Sequence, residues 1–310
     1  MLHKAVYSCL IVFFALLIIA APHTTNSDNR PETTQFFRRT VPDIDKFIGH
    51  WKDAKSRTAY GALEVRDILK RCYGNPLRPV SKGAVLTDIN AVSYGLLKAA
   101  KSTTPATLND RQLIFYIVTG EGTIQSGDRT AELREGIGII MPPKVEFSIT
   151  NTGKLPLTMY IIEEPIPKDF TPNSEMVVKD EYDNTISTNI RRVESTDWLF
   201  SMIDGLSTIV AFNPVMYEPA SMVPPHVHPE GVEEVWIAIR GDMQIQVGKQ
   251  RRKFPAGSAY KVPADGITPH LNVNTTKNSK KLIWMMKVPL PEGPVIKKPP
   301  KKETQDKTVI

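Results

Sequence analysis

Cysteine is scarce in this chain: only two of its 310 residues are cysteine. Cys9 sits in an apolar N-terminal run, so Cys72 is the lone thiol of everything that follows. That count excludes an intramolecular disulfide framework and a cysteine-based zinc site. No histidine lies near Cys72 in "RDILKRCYG", and it is read as a small packing residue without chemistry. Long hydrophobic runs are missing apart from the one between Ala5 and Ala21, which excludes a multispan membrane protein. A basic surface of the kind nucleic acid requires is missing as well. The formal charge is +6, but the tail "KKPPKKETQDKTVI" sets five lysines against Glu303 and Asp306, and Lys4 adds one more positive charge. About +2 is left for the body of the chain, an ordinary surface that points to no nucleic-acid partner.

What is present suits a globular protein built of strands and turns, with 41% hydrophobic residues, 25 prolines and 18 glycines between short apolar runs. The start, "MLHKAVYSCLIVFFALLIIAAPHTTNSDNR", has a short basic end, an apolar run, small residues and then a polar stretch, the pattern of an export signal. The run is only slightly short of a bilayer span, and Pro22 is a poor residue to follow a cut. Residues 1–25 are therefore read as a signal peptide or an N-terminal membrane anchor. Either places the protein outside the cytoplasm, secreted, periplasmic or tethered.

Residues 26–82 form an arm packed on the first domain, with aromatic anchors but no sustained period; "ALEVRDIL" fits a strand or a turn and a half of helix. His50, beside Trp51, reads as a satisfied, partly buried histidine. Strand signals run through 83–167, from "AVLTDINAVSYGLL" to "LTMYIIEEP". A linker over 168–197 follows, and the rhythm returns over 198–290, from "STIVAFNPVMYEP" to "KLIWMMKVP". The tail 291–310, rich in Lys and Pro, is expected to be disordered. The two β segments repeat one another. Each has a strand ending in glycine (Gly120, Gly241), a hairpin, a second glycine (Gly136, Gly257), five residues, a proline (Pro142, Pro263), and later an asparagine (Asn151, Asn274). The later copy carries two extra residues between Pro263 and His270.

Chemistry concentrates in that later copy. In "PPHVHPEGVEEVWIAIRG", His226 and His228 stand two apart, so on a strand both project from one face about 6.6 Å apart. Pro224 and Pro225 hold the entrance extended. A lone His-x-His is weak evidence, but His270 lies in the same unit, so three of the four histidines beyond the N-terminal segment and its flank fall in one repeat. Imidazole nitrogen with a carboxylate oxygen suits Zn, Fe, Mn, Ni or Cu. Two carboxylates compete. By alternation Glu234 shares a face with Trp236 and Ala238 and is preferred; Glu233 points to the other face unless "PEGV" bulges.

The segment from Ala220 to Asn274 resembles the cupin family. Its first motif reads Gly, five residues, His-x-His, three or four residues, Glu, six residues, Gly. Its second reads Gly, five residues, Pro-x-Gly, two residues, His, three residues, Asn. Carried over residue by residue, His226, His228, Glu234 and His270 match the metal set, while Gly241, Gly257, Pro263 and Asn274 match the frame. This chain departs from the pattern in having Ala220 where glycine is usual, five residues between His228 and Glu234, and the longer "PADGITPH". The resemblance extends over Gly83 to Pro165, but there Leu113 stands in the glutamate position, Phe147 in the second-motif histidine position, and "PATLND" offers no histidine pair.

The resemblance implies an all-β fold of two tandem cupin-type barrels, each a double-stranded β-helix or jelly roll, preceded by the N-terminal arm. The first barrel is degenerate and metal-free, and the second holds one divalent metal of unassigned identity. It implies a small anionic molecule as substrate or ligand, drawn to the metal and shaped by Trp236 and Tyr260, with Arg240 as a candidate anion contact. It leaves open a homodimer, and it leaves open two classes of function. One is a metal-dependent enzyme, dioxygenase, decarboxylase, lyase or isomerase, on a small organic acid, phenol or sugar derivative. The other is a non-catalytic binding or storage-type bicupin.

Overall fold

The structure, a computed structural model, describes residues 43–183, 186–189, 194–197 and 199–289. The segment read as signal peptide or anchor, the start of the arm and the basic tail lie outside the described residues. Among those described, no helix is long and apolar enough to cross a membrane.

Among the described residues, twenty-two strands follow one another with only single turns of 3-10 helix between them. The first eleven are β1 (Ile48–His50), β2 (Ser56–Ala59), β3 (Leu63–Arg71), β4 (Ala84–Leu86), β5 (Ala91–Leu97), β6 (Arg111–Thr119), β7 (Gly122–Ser126), β8 (Arg129–Leu133), β9 (Ile137–Met141), β10 (Ser148–Asn151) and β11 (Leu157–Pro165). The second eleven are β12 (Val177–Asp180), β13 (Ile186–Asn189), β14 (Glu194–Asp197), β15 (Phe200–Ser201), β16 (Ala211–Tyr217), β17 (Glu233–Arg240), β18 (Met243–Val247), β19 (Gln250–Phe254), β20 (Ser258–Lys261), β21 (His270–Val273) and β22 (Lys280–Lys287).

The two sets match strand for strand except at their fourth members, where β4 pairs in parallel with β3 and β15 antiparallel with β16. One large sheet runs β12-β9-β6-β11-β5-β3-β2, the other β1-β20-β17-β22-β16-β14-β13, and each faces a three-stranded sheet, β10-β7-β8 or β19-β18-β21. The opening strand of each set crosses over to the other barrel: β1 pairs with β20, and β12 pairs with β9. The stretch read as an arm on the first domain is thus divided. Its β1 completes the second barrel and its β2 and β3 build the first, with "LEVRDIL" as strand. The stretch read as a linker is divided in the same way between β12 and the β13–β14 hairpin.

Strands such as β6 and β17 are buried along nearly their whole length, yet the alternation of faces survives. Leu113, Phe115 and Ile117 point into the first barrel while Ile114 and Tyr116 join the core between barrels. Trp236 and Ala238 point into the second barrel while Val235 and Ile237 face that same shared core. Each strand is apolar on both sides because a barrel interior lies on one and the other barrel on its back. A hydrogen-bonded group seals the seam: the Lys281 ammonium meets Glu181, which also accepts the Tyr116 hydroxyl at 2.5 Å.

The repeated glycines have a backbone cause, since Gly136 and Gly257 adopt φ of +89° and +92°, conformations that a side chain disfavours. Ala220, where the family pattern has glycine, sits at φ +62°, and its counterpart Ala100 sits at +55°. Both copies therefore keep the left-handed turn without the residue that fits it best. The longer "PADGITPH" loop closes on Asp265, whose carboxylate accepts the Ile267 and Thr268 amides at 3.1 and 2.8 Å and the Thr268 hydroxyl at 2.6 Å.

Candidate metal centre

The mouth of the second barrel is set by a two-residue bridge between distant segments: the His226 and His270 backbones exchange hydrogen bonds of 3.2 and 3.0 Å. That bridge places the loop before β17 against the start of β21, with the imidazole centroids 4.2 Å apart. His228, two residues on, comes within 5.0 Å of His226 and 5.2 Å of His270 by ring centroid. Glu234, near the start of β17, supplies the fourth group. One ligand atom from each of His226, His228, Glu234 and His270 lies within 4.8 Å of all the others.

The orientation of these atoms is as informative as their spacing. Glu234 Oε1 accepts two indole N–H groups, from Trp236 and Trp284, each at 2.8 Å. That fixes the carboxylate plane and turns Oε2 toward the histidines, 2.7 Å from His228 Nε2 and 2.8 Å from His270 Nε2. Despite those separations, none of the three atoms has hydrogen-bond alignment with a partner, and all are buried. Three buried polar atoms gathered without a hydrogen-bond partner are the arrangement expected where a cation belongs, and are costly without one. His226 Nδ1 is 2.9 Å from the Pro224 carbonyl. The proton therefore belongs on Nδ1, which leaves Nε2 with a lone pair.

Burial pushes the Glu234 carboxyl up, but the imidazoles of His270 and His228 outweigh it and hold the group well below the usual carboxylate range, so it is anionic. Burial, and then His270, push His226 down to about 4, so it is neutral at physiological pH. Imidazole nitrogens with one carboxylate oxygen are a donor set that suits a divalent transition metal.

Glu233 is placed elsewhere. Its carboxylate accepts the backbone amides of Thr87, Asp88 and Ile89 at 2.8, 2.7 and 3.1 Å and lies 3.3 Å from the buried Lys261 ammonium. It is a clamp between the barrels, on the opposite face from Glu234 as strand alternation requires. Arg240, at the far end of β17, lies 3.8 Å from Glu135 and is not part of the cluster. His50 is satisfied, with Nε2 at 3.2 Å from the Ala256 carbonyl and Nδ1 accepting the Lys52 amide at 3.0 Å.

Two site residues were not legible beforehand. Trp284 reaches Glu234 only because β22 pairs with β17 in the register Trp236↔Trp284. Asn272 follows His270 by two and shares its face; fully buried, it accepts the Tyr260 hydroxyl at 2.9 Å while its own amide N–H2 has no partner. The only early signal for Asn272 was its spacing from His270. Burial and then Glu234 raise the Tyr260 phenol far above its ordinary value, so it remains a donor.

In the first barrel the same backbone bridge joins Ala106 and Phe147. Every polar position is apolar there: Ala106 and Leu108 replace the histidine pair, Leu113 the glutamate, and Phe147 the third histidine. Phe115 and Ile161 stand where the second barrel has Trp236 and Trp284, and Ile149 where it has Asn272. Nearly all belong to one apolar cluster, with Phe147 edge-on to Phe115 at 5.6 Å.

Comparison with known proteins agrees with this architecture. The family described as "Cupin domain" matches residues 96–163 and 214–286, one segment in each barrel. A Pseudomonas aeruginosa structure described as a glyoxylate induced protein superimposes with TM-score 0.63 at 14% identity, over 81% of this chain and 90% of that one. Lactobacillus farciminis oxalate decarboxylase, in a formate complex, gives 0.60 at 13%, over 81% and 88%. The 7S globulin of Momordica charantia gives 0.60 at 11%, over 78% and 84%. At these identities the likeness is one of fold. No curated protein sequence matches.

Proposed function

Since the chain belongs to the cupin superfamily, with two cupin domains in tandem, we propose that its second barrel binds one divalent metal through His226, His228, Glu234 and His270 and acts on a small anionic molecule there. The observation that carries this reading is the buried, unaligned trio of His228 Nε2, His270 Nε2 and Glu234 Oε2. A metal held there supplies Lewis acidity toward a carboxylate, enolate or diol oxygen. The protein's own contribution is orientation. The two indoles fix Glu234, the Pro224 carbonyl fixes His226, and Asn272 offers a dry, unpaired N–H2 on the His270 face to hold a ligand oxygen. The substrate class is a small organic acid, phenol or sugar derivative, and the setting is the exported one read from residues 1–25, with membrane tethering by that segment and a homodimer as parts of the same proposal.

The second reading, a non-catalytic binding or storage-type bicupin, is favoured by one observation: among the described residues, no additional acid or base joins the four converging groups. Metal analysis of purified protein by mass spectrometry, followed by oxygen uptake and product analysis with catechols, keto acids and sugar acids, separates the two. One iron per chain with oxygen uptake supports a dioxygenase, and manganese with turnover but no uptake supports decarboxylation or isomerisation. One metal without turnover supports the binding class, and no metal overturns the site.

A further inference from the structure

The first barrel has no polar constellation inside, but a cleft of about 510 Å3 opens at that end of it, a size typical of small-molecule sites. Tyr60 and Leu108 line it, and Tyr60 lies edge-on to Phe147 at 5.4 Å, so the apolar plug of the barrel closes the space beneath. The walls carry charge that is unevenly compensated. Arg111 and Arg57 both reach Glu163, at 2.7 and 3.6 Å, and Arg57 also pairs with Asp67 at 3.1 Å. Arg111 also pairs with Asp110 at 3.0 Å, so in this wall two arginines face three carboxylates.

Lys70 and Arg71, at the end of β3, are different. Arg71 donates to the side-chain oxygen of Asn90 at 2.8 Å, a neutral partner, and no carboxylate pairs with either cation among the described residues. Two cations without a carboxylate partner therefore face one cleft, beside a wall in which Asp110 leaves one negative charge in excess. Asn90 holds one nitrogen of the guanidinium and so presents the remaining N–H groups in a set direction, while the exposed Lys70 ammonium can follow a ligand as a point charge. The ring of Tyr73, 95% exposed, stands at the same cleft and offers an apolar face.

We propose that this cleft is a second, metal-independent ligand site for a small organic dianion, a dicarboxylate or a phosphate ester, held by Lys70 and Arg71. Two cations without carboxylate partners suit a multiply charged oxyanion, and charge-assisted hydrogen bonds from the guanidinium that Asn90 holds suit either a carboxylate or a phosphate. The site belongs to the barrel that lacks metal ligands, so it stands independently of the metal centre in the other.

Calorimetric titration of the full-length protein with malonate, and separately with inorganic phosphate, tests the proposal. The wild type should bind at least one of them. The double variant Lys70→Ala/Arg71→Ala should lose about tenfold or more in affinity for it without a change in melting temperature. The His226→Ala variant, stripped of the proposed metal, should lose any binding at the metal centre and keep the binding that depends on Lys70 and Arg71. If the double variant folds poorly, Lys70→Gln alone decides, with an expected loss of about threefold. Affinity indifferent to these substitutions, no binding of either anion, or binding that disappears in His226→Ala overturns the cleft as the site; the last result would place the dianion on the metal instead. The ratio of malonate to phosphate affinity distinguishes the two ligand sources.

Discussion

The two barrels share strand order, register, left-handed turns and a shared core, yet they fill the same interior volume in opposite ways. One places Ala106, Leu108, Leu113 and Phe147 around the bridge between its mouth segments; the other places His226, His228, Glu234 and His270 there. The difference teaches that the frame tolerates either solution provided it is complete. An all-apolar set is stabilised by burial and packing. An all-polar set of this kind is stable only if its donors converge on a cation and its carboxylate is otherwise satisfied, as the two indoles satisfy Glu234. A half-converted barrel would have neither source of stability.

The sharpest way to break the comparison is to remove one of the four proposed metal ligands. His226→Ala, at a half-buried position, should lower metal affinity by about 100-fold or more while the far-ultraviolet spectrum stays that of the wild type; mass spectrometry after dialysis reads the loss. Importing a single polar group into the apolar barrel should be nearly as severe. Leu113→Glu places a carboxylate in the Phe115–Phe147 cluster with no partner, and denaturant unfolding should show a loss of about 3–5 kcal/mol. Glu233→Ala tests the claim that this residue joins the barrels rather than holding metal. It leaves Lys261 and three amides without their acceptor, so stability should fall by about 3 kcal/mol with metal stoichiometry unchanged.

Smaller effects sharpen the likeness. Trp284→Phe removes one of the two donors to Glu234 Oε1, and metal affinity should fall about tenfold with the site still able to load. Ala100→Gly and Ala220→Gly relieve the left-handed strain at equivalent turns, and each should raise stability by about 0.5 kcal/mol after the entropic cost of glycine. Thermal melting that moves for one and not the other would show that the two turns are not equivalent.

Much of the site was legible because its spacing is local. His226 and His228 are two apart, and Glu234 was preferred by strand alternation, a rule that acts within one strand and that also directs Glu233 to the opposite face. His270 was legible only through the internal repeat, which matches it to Phe147. Trp284, 50 residues from Glu234 along the chain, was not legible, since a strand's own pattern does not state its partner's register. The arm and the linker were obscure for the same reason: β1 and β12 are short, and their pairing across to the other barrel depends on strands far away in sequence.

The sequence by itself determined the β character, the doubling of the unit and the replacement in the first copy of each of the four polar residues that the second copy gathers, because alternation, turn residues and side-chain chemistry are properties of neighbours along a chain. Only the tertiary structure decided which edge each opening strand completes, that Glu233 binds the other barrel's amides, and that two tryptophans turn Glu234 toward the histidines. Those outcomes are contacts between segments brought together by packing, and no single stretch of chain contains them.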